Sequence, residues 1–446
     1  MSRPVPQAHP PLAEAQEKWV QAAWEQVDRG HLRELAVAVT DIASPTGEEA
    51  ELAAMLVERL AATGARATLQ PLDATSANAV GRLPGTGDGA DLLLFAPIDT
   101  LTTGNDAEDI PAVARTLPPY LRARAMVSGD LVSGLGASNP KGHAACVLAA
   151  VEALAAAAVP LRGDVLAGFG AGGMPTNARP GQNRRNVGHG VGCSFLLEQG
   201  GYADFAIIAK PGWTVSVEEV GLAWFEVRVN GTHTYVGSRH RIPYRNAIAD
   251  AAGVVVELEH FFAEYTARHT AGTWAPQGIV ASIEGGLPRM AAVTPATVVL
   301  RVDLRLAPGM SVMAARREFA DAMRALPGVL PGVDVDWDLV VAVPGSASPR
   351  NCFVARAARA AWEQAEGRPH AEIDGMSGAT DANILRNRGI PTVRVGMPKV
   401  PDLGFSEGMN TVDIREMERL TRLLIRVAVD VCTRPLGEVL APEAGT

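Results

Sequence analysis

Between Asp91 and Asp99 the chain reads LLLFAPI, an unbroken apolar run with a carboxylate at each end. Apolar side chains at every position, rather than at alternate ones, leave neither face of an extended strand for water. The run therefore predicts a buried parallel strand with helices packed on both faces. The surroundings agree. Residues 12–27 and 31–42 carry apolar side chains at helical spacing. In SPTGEEAELAAMLVERLAATGA, Ser44 and Thr46 stand ahead of Glu48 and Glu49, a capping pattern before a third helix. Strand-like runs at 67–71 and 79–83 come next. A helix at 142–157, a strand at 164–169, a helix at 190–199 and a strand at 205–209 continue the alternation, which predicts an α/β sandwich.

After Pro211 the pattern changes. Strands at 222–229, 279–284, 296–306 and 333–343 and helices at 247–265 and 311–326 follow the split order strand, helix, strand, strand, helix, strand. From Ser346 the α/β pattern resumes, with a helix at 352–366, a strand at 391–396 and a helix at 414–432. The expected architecture is a three-layer α/β/α domain, 1–215 and 344–446, interrupted by a βαββαβ insert, 216–343. A length of 446 residues suits two or three domains. Ligands of such folds bind at the carboxyl ends of the strands, which directs attention to Asp99, Asn139, Lys210 and the 375–381 loop.

Composition narrows the partners. Forty basic and forty-nine acidic residues leave a net charge of −9 with no basic block, which argues against nucleic acid and anionic membrane as partners. No uncharged apolar run reaches the length of a membrane span, and MSRPVPQAHPPL lacks the apolar core of a signal peptide. Cys146, Cys193, Cys352 and Cys432 lie far apart without C-x-x-C spacing, so neither a disulfide framework nor a zinc knuckle is expected. The expectation is a reduced, cytoplasmic protein.

Several segments, in order, resemble the zinc-dependent aminoacylase and carboxypeptidase family, which includes acetylornithine deacetylase, succinyl-diaminopimelate desuccinylase and glutamate carboxypeptidase. They are SPTGEE, NAVGRLPG from Asn78, LLLFAPIDT, GLGASNPKGHAACVLAAVEAL from Gly134, ADFAIIAKPG from Ala203, RNAI from Arg245, VDLRLAPG from Val302 and SGATDANILRNRGIPTVRVG from Ser377. The resemblance implies an aminopeptidase-like domain carrying a lid and dimerisation insert, and a dinuclear metal site. Here the ligand positions are altered. The family's His-x-Asp reads Pro97-Ile98-Asp99, its bridging Asp corresponds to Asn139, and its Glu-Glu pair falls in AGGM at 171–174. Its next acidic ligand corresponds to Lys210, and its late His falls near Phe405 and Ser406. Proline and glycine offer no lone pair to zinc, and an ammonium repels it. A divergent member without the dinuclear zinc, and without any other cofactor, is therefore expected.

The remaining polar residues each have two readings. Asp99 and Lys210 are the catalytic candidates, as an ion pair in place of the metal-carboxylate cluster, or else a salt bridge holding strand ends. Asn139 is a candidate substrate contact. Lys141 stands at a helix start that favours an anion, or ties down its own loop. His143 points into the cleft or is an ordinary polar residue. Arg179, Arg184 and Arg185 recognise a carboxylate or lie in a solvated loop. Glu218 and Glu219, adjacent in an extended segment, point to opposite faces. The resemblance implies substrate contacts across a lid-lid dimer for Tyr235 and Asn246, with His233 or His240 beside them; the alternative is a polar loop capped by Asn246. Arg305 contacts substrate or pairs with Asp303. Ser377, Thr380 and Asp381 bind substrate polar groups or cap the helix that starts near Ala382.

The expected function is a hydrolase-like enzyme acting on a C–N bond of a small carboxylate-bearing metabolite without the dinuclear metal. The alternatives are a non-catalytic homologue binding a small acidic ligand or a protein partner, and a hydrolase with a single metal relocated to Asp99, His143 and lid histidines. A homodimer through the insert is the expected assembly.

Overall fold

The computed structural model describes residues 8–440. They fall into two compact units. The larger takes the residues up to Val217, Ser348–Glu372 and those from Thr380 onward; the smaller takes Glu218–Ala347 and Ile373–Ala379. The segment containing Ser377, which the sequence pattern places with the α/β domain, thus belongs to the insert.

The larger unit is built on a six-stranded sheet in the order Arg66–Pro71, Ala77–Leu83, Val165–Gly170, Leu92–Pro97, Phe205–Ala209, Thr392–Val395. The first two pairings are antiparallel and the last three parallel. Leu92–Pro97 lies between two parallel neighbours with Leu92 opposite both Val165 and Phe205, and all its residues are buried. Its two faces enter different cores. Leu92, Leu94 and Ala96 pack with Val147 and Leu148 of helix Lys141–Ala156 and Leu424 of helix Ile414–Cys432. Leu93 and Phe95 pack with Leu196 and Leu197 of helix Val191–Glu198 and Leu385 of helix Ala382–Asn387. This is the period-2 geometry of a strand applied to a segment with no polar face, each enclosed leucine contributing about 1.5–3 kcal/mol. Helix Lys141–Ala156 is buried nearly all round, and its alanines let the helices on either side approach closely.

Helix Ala50–Ala62 departs from its expected capping. It starts after Glu49 with no side-chain cap. Ser44 instead donates to the Ile98 carbonyl and Thr46 to the Asp99 carboxylate, so both hydroxyls tie the helix approach to the end of the central strand. A small sheet of Met126–Ser128, Leu131–Ser133 and Thr411–Asp413 has no counterpart in the sequence reading.

The insert is a four-stranded antiparallel sheet in the order Gly278–Gly285, Thr297–Leu306, Gly221–Asn230, Asp334–Val343, with helices Ala247–His269 and Val312–Val329. Alternation along Gly221–Asn230 and Thr297–Leu306 sends Phe225, Val227, Leu300 and Val302 into its core, where Phe225 stacks on Phe319 at 4.0 Å. Among the described residues no helix is long and apolar enough to cross a membrane.

Candidate active site at the ends of the parallel strands

Asp99 follows the central strand and is fully buried. Its carboxylate accepts from Gly173 N at 2.7 Å, Met174 N at 2.9 Å and Thr46 Oγ1 at 2.7 Å. Burial pushes its carboxyl up, opposed by the Thr46 and Met174 hydrogen bonds, the Lys210 charge and the Gly173 amide. Lys210 ends the neighbouring strand, is 6% exposed, and has Nζ 3.8 Å from Met174 Sδ. Asp381, 2% exposed at the head of helix Ala382–Asn387, has its carboxylate against the same turn; a Cβ on Gly173 would meet Asp381 Oδ2 at 2.9 Å. Glycine is required there because Pro97 and Asp381 leave no room for a side chain.

Glu49, treated in the sequence only as part of a capping pattern, is the second buried carboxyl of this cluster. It is fully enclosed, and accepts from Gly47 N at 2.7 Å, Gly172 N at 3.0 Å and Ser76 Oγ at 2.7 Å. Burial first, and the charge of Asp99 second, push it up to about 7. No sequence signal marked it: its partners are a hydroxyl 27 positions away and a backbone amide 123 positions away.

His143 does not face ligand. It is fully buried, Nδ1–H donates to the Ser138 carbonyl at 2.7 Å, and Nε2 accepts from Met397 N at 3.1 Å. Both ring nitrogens are used by backbone, which fixes the neutral tautomer. Burial pushes the ring down to about 3, the Lys210 charge acting in the same direction and the Ser138 carbonyl against it. Its candidacy as a substrate contact is corrected to that of a buried anchor. Lys141 is likewise turned inward: fully buried, it donates to the Ile42 carbonyl at 2.5 Å, and burial lowers it to about 7 against the opposing charge of Asp41. It ties the helix start to the 42–44 segment rather than offering an anion site. Asn139 keeps an enclosed Oδ1 without a hydrogen-bond partner among the described residues.

Two of the three arginines of the 174–189 loop are committed to protein partners. Arg179 pairs with Glu48 and Glu108, and Arg184 with Asp73 at 2.6 Å. Gln182 donates to the Thr46 carbonyl at 2.9 Å. The loop is strapped across the 46–48 segment, and only Arg185 of the three is exposed.

The other candidates lie in the insert. Asn246 caps helix Ala247–His269 by accepting from Ile248 N at 3.1 Å. Arg305 pairs with Asp303 at 2.9 Å. Ser377 Oγ accepts from Gln277 N at 3.2 Å. His233 is exposed with Nδ1 2.8 Å from the Thr294 carbonyl, and Tyr235 is 58% exposed. Asn246 and Arg305 thus make the local contacts that the sequence offered beside substrate binding. Thr380, in the larger unit, accepts from Ala382 N at 3.2 Å.

A dinuclear metal centre does not fit this donor set. Pro97 is buried against Gly173, the 172–174 turn presents amide N–H groups inward, Asn139 supplies one neutral oxygen, and Lys210 brings a cation. Among the described residues no group of three or more His, Cys, Asp and Glu side chains is placed to hold a metal ion.

No protein-family model matches the chain. Solved structures do. Human carnosine dipeptidase 1 superposes with a TM-score of 0.69 at 15% identity, over 95% of this chain and 99% of that one. An amidase of the hydantoinase/carbamoylase family from Burkholderia multivorans gives 0.60 at 16%, over 92% and 99%. A dinuclear metal-binding peptidase of the M20 family from Bacillus subtilis gives 0.61 at 14%, over 91% and 98%. At these identities the likeness is one of fold: the chain has the three-layer domain and inserted sheet of these peptidases and amidases along nearly its whole length.

Proposed function

We propose that the chain hydrolyses a C–N bond in a small carboxylate-bearing metabolite without a bound divalent ion, with Lys210 supplying the positive charge. The observation that carries this is the ammonium itself. It stands at the carboxyl end of a central parallel strand, where ligands of open α/β sheets bind, and its charge acts on Asp99. A fixed cation polarises a carbonyl and stabilises the oxyanion that develops on it. Asp99, saturated by three donors, is a positioning residue whose carboxyl group lies within the field of the Lys210 charge. The dipeptidase and amidase relatives named above act as peptidases and amidases, which makes dipeptides, N-acyl and N-carbamoyl amino acids the compounds to try.

A second reading, a non-catalytic homologue that binds such a ligand, is favoured by one feature. Neither Asp99 nor Glu49 is exposed, so no carboxylate of this cluster is open to activate water. One experiment separates the two. Chelator-treated protein is given the compound panel, following turnover by chromatography and binding by calorimetry. Turnover that survives chelation and is lost in Lys210→Met supports hydrolysis. Saturable binding without turnover, also lost in Lys210→Met, supports the binder. Turnover that appears only when zinc or manganese is restored overturns both.

The insert is the proposed dimer contact. Its edge strand Gly278–Gly285 presents Ile279 and Ile283, each 55% exposed, and an apolar edge strand of this kind is normally covered. Light scattering should give twice the chain mass, falling to one chain in an Ile279→Lys, Ile283→Lys double variant; a wild-type monomer ends the idea. Four free, buried thiols suit a reducing, cytoplasmic setting.

A further inference from the structure

Glu49 is enclosed, carries a titratable group, and has no part in the chemistry proposed above. Its surroundings assign it one. Three consecutive amides of the turn after strand Val165–Gly170 are held by two carboxyls: Gly172 N by Glu49, Gly173 N and Met174 N by Asp99. Met174 in turn touches Lys210. We propose that Glu49 is a positioning residue that works as a proton-holding clamp: protonated, it closes the 172–174 turn over Asp99 and Lys210, and on ionisation it loosens that turn.

The protonated form keeps both amide contacts. Oε1 accepts from Gly47 N and Gly172 N, while the Oε2 hydroxyl donates to Ser76 Oγ, reversing the bond in which Ser76 Oγ donates to Oε2; a hydroxyl serves in either role. Ionised, Glu49 still accepts from its donors but sets a second negative charge beside Asp99, in a place where neither is solvated. The groups that share the turn are thereby set against each other. The charged and titratable groups on the elements around it are Asp99 and Lys210 at the strand ends, Asp381 at the helix head, and His189 at the far end of the loop. Beside them lie Arg179 with Glu48 and Glu108, and Arg184 with Asp73. Of these, Asp99 acts on Glu49 most directly, after burial. The strap that begins at Met174 is anchored on the same 46–48 segment through Gln182 and Arg179, so loosening the turn frees the strap at one end. The inference rests on the reading of Lys210 as the ligand's counter-charge for its consequence, but not for its test.

That test is amide exchange in the free protein, read at Gly172, Gly173 and Met174 by mass spectrometry from pH 5 to 8 and corrected for intrinsic rate. Wild type should lose protection by roughly tenfold or more as pH rises through the range where Glu49 ionises. Glu49→Gln, which copies the protonated group and donates its amide to Ser76, should show protection independent of pH. Equal pH profiles in wild type and Glu49→Gln, or flat protection in wild type, overturn the clamp whatever ligand the protein binds. If the clamp holds but Lys210→Met leaves ligand binding untouched, the reading of Lys210 fails and the clamp stands.

Discussion

The two units treat charge in opposite ways. In the insert, ionic side chains line the open face of the sheet: Arg228 pairs with Asp338 at 3.0 Å, and Asn230 donates to Asp336 at 3.0 Å. The Asp338 side chain is 64% exposed. In the larger unit, Glu49, Asp99, Lys141 and His143 are fully enclosed and Lys210 nearly so. An antiparallel sheet with one wet face solvates its charges without special arrangement. A parallel sheet covered on both sides cannot, so each ionic group at its strand ends needs named donors or acceptors. The difference teaches where single substitutions will be felt.

Asp99→Ala should be the most damaging. It strands the Gly173 and Met174 amides and the Thr46 hydroxyl in a closed space, at a cost of about 3–5 kcal/mol. Urea unfolding should show a transition moved to much lower denaturant for the larger unit; a shift under about 1 kcal/mol would mean that water reaches those amides. His143→Leu comes next, at about 2–3 kcal/mol, because the Ser138 carbonyl and Met397 amide each lose a buried partner. Its pH sign is fixed. With the folded ring lowered to about 3 from 6.5, the native state binds fewer protons, so wild-type stability contributed by this group is lost as pH falls from 6.5 toward 3. The leucine variant should lack that acid sensitivity.

These same residues mark the limit of what the sequence disclosed. The fold was legible because LLLFAPI can satisfy burial on both faces in few ways, and because the 222–343 segment changes to clean alternation. The departures from the family's motif at Pro97, Lys210 and the 171–174 segment were legible because each is a change of chemical type at a motif position. The clamp was not. Ser44, Thr46 and Glu49 carry the pattern of a helix start, and only the return of the chain at 98–99 and 172–174 diverts their side chains to other partners. His143 and Lys141 were ambiguous for a related reason: a helix start that meets a ligand and one buried under other segments share the same local sequence. The local contacts of Asn246 and Arg305 were legible because cap and strand-pair geometry need only near neighbours.

Lys141→Met tests the burial argument in the other direction. The lysine lowered to about 7 from 10.5 leaves the native state short of a proton between those values, so wild-type stability rises as pH climbs from 7 to 10.5. Methionine fills similar volume without a charge. It should stabilise the protein by about 2 kcal/mol at pH 7, with the gap to wild type closing toward pH 10. Thermal unfolding in a pH series reads both. A destabilised variant at pH 7 would show that the Ile42 carbonyl bond outweighs the cost of enclosure.

Asp338→Ala should do almost nothing, and that outcome is informative. Its partner Arg228 has a second carboxylate, Glu226, within reach, and Glu226 also meets Arg301. Removing one exposed acid therefore leaves no enclosed orphan, and exposed pairs of this kind contribute about 0–1 kcal/mol. A loss within about 0.5 kcal/mol, shrinking further in high salt, is expected from unfolding of the insert. A loss comparable to that of Asp99→Ala would mean that the open face is covered in solution, since only an excluded solvent makes such a pair costly to break.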